Sequence, residues 1–312
     1  GDTQDATYHG HFERNAVQML REIAADPDYH TIILHTGDIA NDGTDATYDN
    51  AFFFRTSNAV MALLRQFPFA ACPGNHDDGG MFNKIFPYAN YSGRNHSLDY
   101  GPLHITATDC SNVDLTWARN DVQATDRPWK ILINHYPIYG AGRHANSGDT
   151  GYGTILENHD GDMYLNGHNH NYVRAEKNGI HYITMGGGGA YMYEITDPGA
   201  ANVVKAVATY GFGLMEIKGD TMTVTAKSTT DGNISTIDVF TRVREGLVSN
   251  LSRLPQREAP IMRLSTLGRE ILYTVRYPGH VRIDLMDCSG RALRTLVDRT
   301  VPPGTHSVRW DP

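Results

Sequence analysis

Residues 31–41 read TIILHTGDIAN, a short β-rich run that ends in Gly37 and Asp38. The same pattern returns along the chain, and its recurrence decides the fold. FPFAACPGNHD (67–77) is a strand entering a Pro-Gly turn, and KILINHYP (130–137) is a strand that delivers His135. DMYLNGHNH (162–170) is a strand running into a loop with two histidines. LHITATDC (103–110) and HYITMGGGGA (181–190) read as two more strands. Helical patterns lie among them. Residues 12–25 put Phe12, Ala16, Val17, Met19, Leu20, Ile23 and Ala24 on one face. Residues 49–65 read as a second helix with Phe53, Val60, Leu63 and Leu64 at apolar positions. Strands alternating with helices predict an α/β core. Polar blocks just after the strands fall at the end of an open sheet where ligands bind.

From about residue 214 the pattern turns to strands alone: LMEIKGD, TMTVTAKST and ISTIDVF. Residues 239–260 have no strong period and read as a linker, giving a catalytic-sized domain over 1–238 and a small module over 261–312. EILYTVRY, HVRIDLMD, ALRTLVD and THSVRWD are the module's strands, with turns at Ser289-Gly290 and Pro303-Gly304. Val281, Ile283 and Leu285 alternate with polar neighbours, as a half-buried strand requires. About four strands are visible, against roughly seven in an immunoglobulin-type sandwich. The module is therefore expected to be an incomplete β-sandwich.

The 312 residues suffice for one large core and a smaller one. A formal charge of −8 and a pI near 6.0 disfavour nucleic acid as a partner, because no basic excess is present to neutralise phosphates. A small phosphate ester could still bind if a metal supplied local positive charge. No apolar run reaches the ~18–20 residues of a membrane helix. The chain starts at Gly1 without a methionine, which reads as a processed product or a fragment. Cys72, Cys110 and Cys288 contain no CxxC pair; a Cys72–Cys110 bridge and buried free thiols both remain open.

The chemistry resides in five blocks: GDTQ (1–4), GDIAN (37–41), GNHD (74–77), NH (134–135) and GHNH (167–170). Asp, Asn and His are oxygen and imidazole donors, suited to Fe, Zn or Mn rather than to thiolate-bound metals. Singly, each block is weak: a lone GD is usually a turn. As an ordered set after strands, the blocks are specific.

That order, D…GD…GNHD…H…GHxH, resembles the calcineurin-like metallophosphoesterases over roughly residues 1–236. WKILINHYPIYGAGRH, YLNGHNHNYVR and GIHYITMGGGGA resemble more narrowly the purple acid phosphatases and their tartrate-resistant relatives. The resemblance implies a four-layer α/β/β/α sandwich and two metal ions. It places Asp2 and His170 on the first ion, Asn75, His135 and His168 on the second, and Asp38 between them. It makes His76 a substrate-facing general acid and His144, nine residues after His135, a second substrate-facing histidine. Two cations can clamp attacking and leaving oxygens and lower the pKa of bound water to about 7.

Two departures stand out. The purple enzymes carry a tyrosine three residues after the bridging aspartate, where this chain has Asn41, a possible further metal ligand, so their colour is not expected here. Non-purple members have Asp-x-His in the first block, where this chain has Gln4, a possible further donor through its amide oxygen.

Other features have plainer readings. Gly186–Gly189 lacks the Lys-Ser/Thr of a P-loop and reads as a flexible turn. His9 and His11 read as solvated loop histidines; His35, His104 and His181 as packed or hydrogen-bonded; Trp117 and Trp129 as core. Arg174 reads either as a phosphate contact or as an ion pair supporting its loop. SGRALRTLV…PPGTHSVRWD resembles the flagellar-hook-capping-protein-like immunoglobulin-type module and secretion-sorting domains, implying export machinery or a bacterial cell surface as partner and a secreted, surface or periplasmic location. The expected activity is hydrolysis of small phosphomonoesters. A phosphodiesterase or nucleotide hydrolase on the same residues, and a non-catalytic surface protein, are the alternatives.

Overall fold

The computed structural model describes residues 1–4, 9–26, 30–53, 57–77, 80–87, 94–230, 232–244, 263–267, 270–275, 278–286 and 292–309. The chain divides into two compact units, Gly1–Glu245 and Gly246–Pro312. The fold is mixed α/β with several sheets.

The first unit begins with α1 (His9–Ala25), β1 (Ile33–His35), α2 (Asp45–Ala51), α3 (Asn58–Gln66) and β2 (Phe69–Ala71). β1 and β2 pair in parallel, Leu34 opposite Ala70. Phe12, Ile39, Phe52, Leu63, Phe82 and Phe86 join one core here, so the apolar face read over 12–25 has its partner. The single helix expected over 49–65 is two. The Ser57 hydroxyl accepts a hydrogen bond from the Val60 amide and starts a new helix, a local cap that apolar periodicity alone does not register.

Next come α4 (Met81–Ile85), β3 (His96–Tyr100), β4 (Leu103–Ala107), α5 (Leu115–Ala124), β5 (Trp129–Ile133) and α6 (Thr150–Asn158). They are followed by β6 (Met163–Asn166), β7 (Tyr172–Lys177), β8 (Ile180–Met185) and β9 (Val203–Val207). These strands form a seven-stranded sheet in the order β3-β4-β5-β6-β8-β7-β9. Its centre, β4-β5-β6-β8, is parallel, and β3, β7 and β9 join it antiparallel. A parallel centre is covered on both faces, which is why Ile131, Leu132 and Ile133 are all buried in succession. Ala118, Val122, Tyr152, Leu156, Tyr164 and Tyr182 form the core under α5 and α6.

β10 (Gly211–Lys218), β11 (Thr221–Ser228) and β12 (Ser235–Val243) form an antiparallel meander. Backbone bonds continue from it toward β1: Gly211 N–H to Gly187 O, Gly188 N–H to Gly1 O, and Asp2 N–H to Gly37 O. Residues 1–3 are therefore stitched between the glycine run and the end of β1. β12 reaches Val243, inside the stretch read as linker from residue 239, because Phe240 and Arg242 stay in register with Val224 and Met222. The remainder of that linker, residues 245–260, lies outside the described residues.

In the second unit, β13 (Arg263–Leu267), β14 (Glu270–Val275) and β17 (Gly304–Arg309) form one sheet. β15 (Gly279–Met286) and β16 (Ala292–Val301) form another. Tyr273, Val275, Val281, Ile283, Val297 and Val301 are its core. β13 adds a strand to the four expected; RLSTL has no clean alternation to betray it. Cys72 and Cys110 are buried free thiols. Cys288 lies outside the described residues. Among the described residues no helix is long and apolar enough to cross a membrane.

Candidate metal centre

The polar blocks converge. Asp38 follows β1, Asn75 and His76 follow β2, His135 follows β5, and His168 and His170 follow β6, all at carboxyl ends of parallel strands. Asp2 arrives alongside β1: its N–H bonds Gly37 O at 2.9 Å, and Thr3 N–H bonds Asp38 O at 3.0 Å.

Asp38, His135 and His168 each place a ligand atom within 4.8 Å of the others, and so do Asp2, Asp38 and His170. Asp38 belongs to both groups. His135 Nε2 stands 3.1 Å from Asp38 Oδ2, yet it makes no aligned hydrogen bond. His135 Nδ1 donates to the Thr36 carbonyl at 2.8 Å. His170 Nδ1 donates to the Tyr191 carbonyl, while its Nε2 stands 3.4 Å from Asp2 Oδ1. Each ring is thus fixed through Nδ1 and turns Nε2 to the carboxylates, as metal-binding histidines do. Gln4 Nε2 lies 3.3 Å from Asp38 Oδ2 and 3.5 Å from His170 Nε2. Gln4 Oε1 and Asn75 Oδ1 are buried without a hydrogen-bond partner.

The backbone is strained at these residues. Asp2, Asp38 and His168 have φ of 62°, 54° and 64°. A side-chain-bearing residue there costs on the order of 1–3 kcal/mol and persists only where its surroundings impose it. The glycines of GNHD and GHNH answer to space. A Cβ on Gly74 would sit 2.1 Å from Asp38 Oδ1, and one on Gly167 would sit 2.3 Å from Asp2 Oδ2.

Asp77 holds two of the loops together. Its carboxylate accepts from Ile39 N–H (3.0 Å), Ala40 N–H (3.3 Å), Gly74 N–H (2.8 Å) and the Tyr48 hydroxyl (2.9 Å). Burial raises its pKa to about 6 against the pull of those donors. The GNHD pattern by itself gives Asp77 no role; its signal in the sequence is an aspartate directly after the Asn75-His76 pair.

His76 is exposed. Its ring is held by Nδ1 on the Asn41 carbonyl, and its N–H donates to Asp38 Oδ1 at 3.0 Å. The Asn41 side chain is exposed, so this residue serves through its backbone rather than as the side-chain donor considered above. The His144 ring lies 4.4 Å from that of His168, and its N–H donates to Asn169 Oδ1. Gly186–Gly189 is not a flexible turn. The run is buried, and Asn15 Nδ2 donates to both Gly187 O and Gly188 O. Arg174 pairs with Asp238 at 2.7 Å and with Glu176, resolving its two readings toward the ion pair. His11 stacks on Tyr210 at 3.5 Å; the His9 side chain lies outside the described residues.

The donor set fits divalent cations. Burial opposes charge on His135, but Asp38, with Asp2, outweighs it and raises the ring's pKa to about 9. Burial likewise opposes charge on Asp38, and His135 reverses it, holding the carboxyl well below the usual range. His168 is pushed down to about 3, by burial first and then by His135. A pocket that draws a proton onto a fully buried imidazole, with two amide oxygens orphaned beside it, has donors that a cation would satisfy.

Oxygen and imidazole donors gathered around one shared carboxylate at strand ends make a set able to hold metal ions on an α/β fold. The chain belongs to the calcineurin-like phosphoesterase family, whose model matches residues 1–172. It is similar to acid phosphatase type 7 of Mus musculus, at 30% identity over 129 residues, covering 34% of this chain and 29% of that protein. The matched segment is thus under a third of that relative's length. Among solved structures, the purple acid phosphatase PPD1 of yellow lupin superposes with a TM-score of 0.59 at 16% identity, over 75% of this chain and 49% of that one. GAP50, the anchor in the inner membrane complex of Plasmodium, gives 0.59 at 15% identity, over 78% of this chain and 90% of that one. These two likenesses show the fold. Membership in the family implies bound metal ions.

Proposed function

We propose that the protein hydrolyses small phosphate esters, phosphomonoesters first, at a dinuclear centre. Asp2 and His170 would hold one ion, Asn75, His135 and His168 the other, with Asp38 shared and Gln4 as a further oxygen donor. The observation that supports this most is the membership of Asp38 in both ligand groups. When bound, Fe, Zn or Mn ions would supply a nucleophile at neutral pH and neutralise phosphate charge. The chain's own residues do the positioning. Thr36 and Tyr191 orient the two imidazoles, Asp77 fixes the loops carrying Asp38 and Asn75, and the Asn41 carbonyl fixes His76. With Nδ1 so engaged, Nε2 of His76 is the atom that passes a proton to the leaving oxygen. His144, beside His168, lines the substrate side.

The first unit is read as a four-layer α/β/β/α sandwich and the second as an immunoglobulin-type module. That module's resemblance to sorting domains supports a secreted or surface location in a bacterium.

Elemental analysis of the purified protein, run beside turnover of p-nitrophenyl phosphate and its bis ester, tests the proposal. Two ions per chain and faster monoester turnover are expected. Turnover of the diester alone overturns the monoesterase. Metal-loaded protein inert on a broad ester panel turns the reading to a non-catalytic binding protein.

A further inference from the structure

Between His168 and His170 stands Asn169, and its side chain turns to a different loop. The residue is fully buried, and its Oδ1 accepts the His144 N–H at 3.1 Å. An N–H can only donate, so this bond fixes which end of the amide is oxygen. Nδ2 is left buried without a partner. The loop that Asn169 meets is shaped to it. A Cβ on Gly142 would sit 2.9 Å from Asn169 Oδ1 and 2.8 Å from Asn171 Nδ2, and one on Gly140 would sit 3.2 Å from Asn169 Nδ2. Gly140 and Gly142 thus interlock with Asn169 and Asn171. The far side of the loop is fastened separately. Ala141 O accepts from Thr196 N–H at 2.8 Å and from Asp197 N–H at 3.2 Å, and Gly142 bridges Ile195 antiparallel. With that side fixed, the Asn169 contact sets how closely the loop approaches the ligand histidines. The His144 and His168 ring centroids end 4.4 Å apart.

A buried amide that satisfies one end and leaves the other unpaired is costly beside an apolar side chain of the same shape. Such a group needs a reason, and the placing of the His144 loop supplies one. We propose that Asn169 is a positioning residue: through its bond to the His144 N–H it holds that imidazole at the distance from His168 and His170 at which it meets the phosphoryl group. The inference rests on the phosphoesterase reading. It adds that the run His168-Asn169-His170 carries two ligands and, between them, the link to the substrate-side histidine.

The test titrates inorganic phosphate calorimetrically into the metal-loaded full chain as wild type, His144→Ala, Asn169→Leu and the double variant. Leucine matches the amide in shape but offers no acceptor. Each single variant should keep both ions and bind phosphate about three- to tenfold more weakly, the range of one hydrogen bond. The double variant should be no weaker than the singles, because Asn169 acts through His144. Losses that multiply in the double variant overturn the proposal, as do wild-type phosphate binding in either single variant or loss of an ion in Asn169→Leu. Gly142→Ala alters neither residue but forces the two loops apart; it should give the same phosphate loss, and it takes the place of Asn169→Leu in the cycle if that variant does not fold. Amide exchange gives a readout without metal. The His144 N–H should exchange slowly in the wild type and in Asn169→Asp, which keeps an acceptor, and rapidly in Asn169→Leu; equal exchange in all three overturns the bond's role. If no ester turns over but phosphate binding shows the non-additive cycle, the positioning role stands and the phosphoesterase reading falls.

Discussion

The Nδ1 of His76 donates a hydrogen bond to the backbone carbonyl of Asn41 at 2.8 Å, so the loop after β1 orients a side chain from the loop after β2. The residue's N–H meanwhile bonds Asp38 Oδ1, which couples the proposed acid to the shared carboxylate. His76→Ala should leave both ions in place, because the ring is outside both ligand groups. Its rate on alkyl phosphates should fall by about 10²–10⁴-fold, with a smaller loss on p-nitrophenyl phosphate, whose leaving group needs little protonation. Equal losses on both substrates, with ion content intact, would remove His76 as the acid.

Asp38 is the one side chain common to both groups, so its removal should be felt at both. Asp38→Ala is expected to reduce bound metal from two ions to one or none, whereas Asn75→Ala should weaken one ion only. Calorimetric metal titration of the two variants separates these outcomes. Two undiminished sites in Asp38→Ala would mean that the carboxylate does not bridge.

Gly74 offers a steric test that deletes no donor. A methyl group there would meet Asp38 Oδ1 at 2.1 Å and Asp38 N at 2.3 Å, which are part of the site rather than of a flexible side-chain end. Gly74→Ala must therefore displace the Asp38 backbone. We expect a destabilisation of about 1–3 kcal/mol by denaturant unfolding, together with weaker metal binding. Wild-type metal affinity in this variant would show that the loops have room that the geometry denies them.

Asn41 predicts a spectrum. With its side chain exposed and its carbonyl engaged by His76, no phenolate stands where the purple relatives have one. Protein loaded with ferric iron should lack a tyrosinate charge-transfer band in the visible region. A purple solution would place a tyrosine on the metal and revise the ligand set.

Much of this centre was legible because its donors fall just after short apolar strands. The order of the blocks singled out Asp38, His135 and His170, and the family resemblance supplied the role expected of each. The sequence was silent where the decisive contact runs between backbone and a distant side chain. Asp77 reads as the tail of GNHD until its four donors are seen, and Asn41 reads as a ligand until its carbonyl is found on His76. Ser57 broke a helix that apolar spacing ran together, and α5 and α6 start at Asp114 and Asp149 caps rather than at a strong apolar stripe. Gly186–Gly189 reads as flexible by composition; burial against Asn15 and Gly1 makes it rigid.

His104 gives a pH prediction away from the centre. Its Nδ1 lies 2.7 Å from Asp99 Oδ1 and its Nε2 lies 3.0 Å from Asp121 Oδ2, with the ring largely buried at the β3–β4 hairpin. Burial opposes the charged ring, but Asp121 and Asp99 outweigh it and hold the pKa above the ordinary histidine value. A raised folded-state pKa means that the folded protein binds the proton more tightly than the unfolded chain. The stabilisation is therefore full below the unfolded pKa of about 6.5 and is lost as pH rises through the folded value. His104→Gln should destabilise the protein by about 1.5–3 kcal/mol at pH 5.5, the range for hydrogen bonds to charged groups. The gap between wild type and variant should narrow on going to alkaline pH, because the wild-type ring then loses its charge. Urea unfolding midpoints at the two pH values decide it: a gap that stays constant or widens with pH would mean that His104 acts by packing rather than as the cation between two carboxylates.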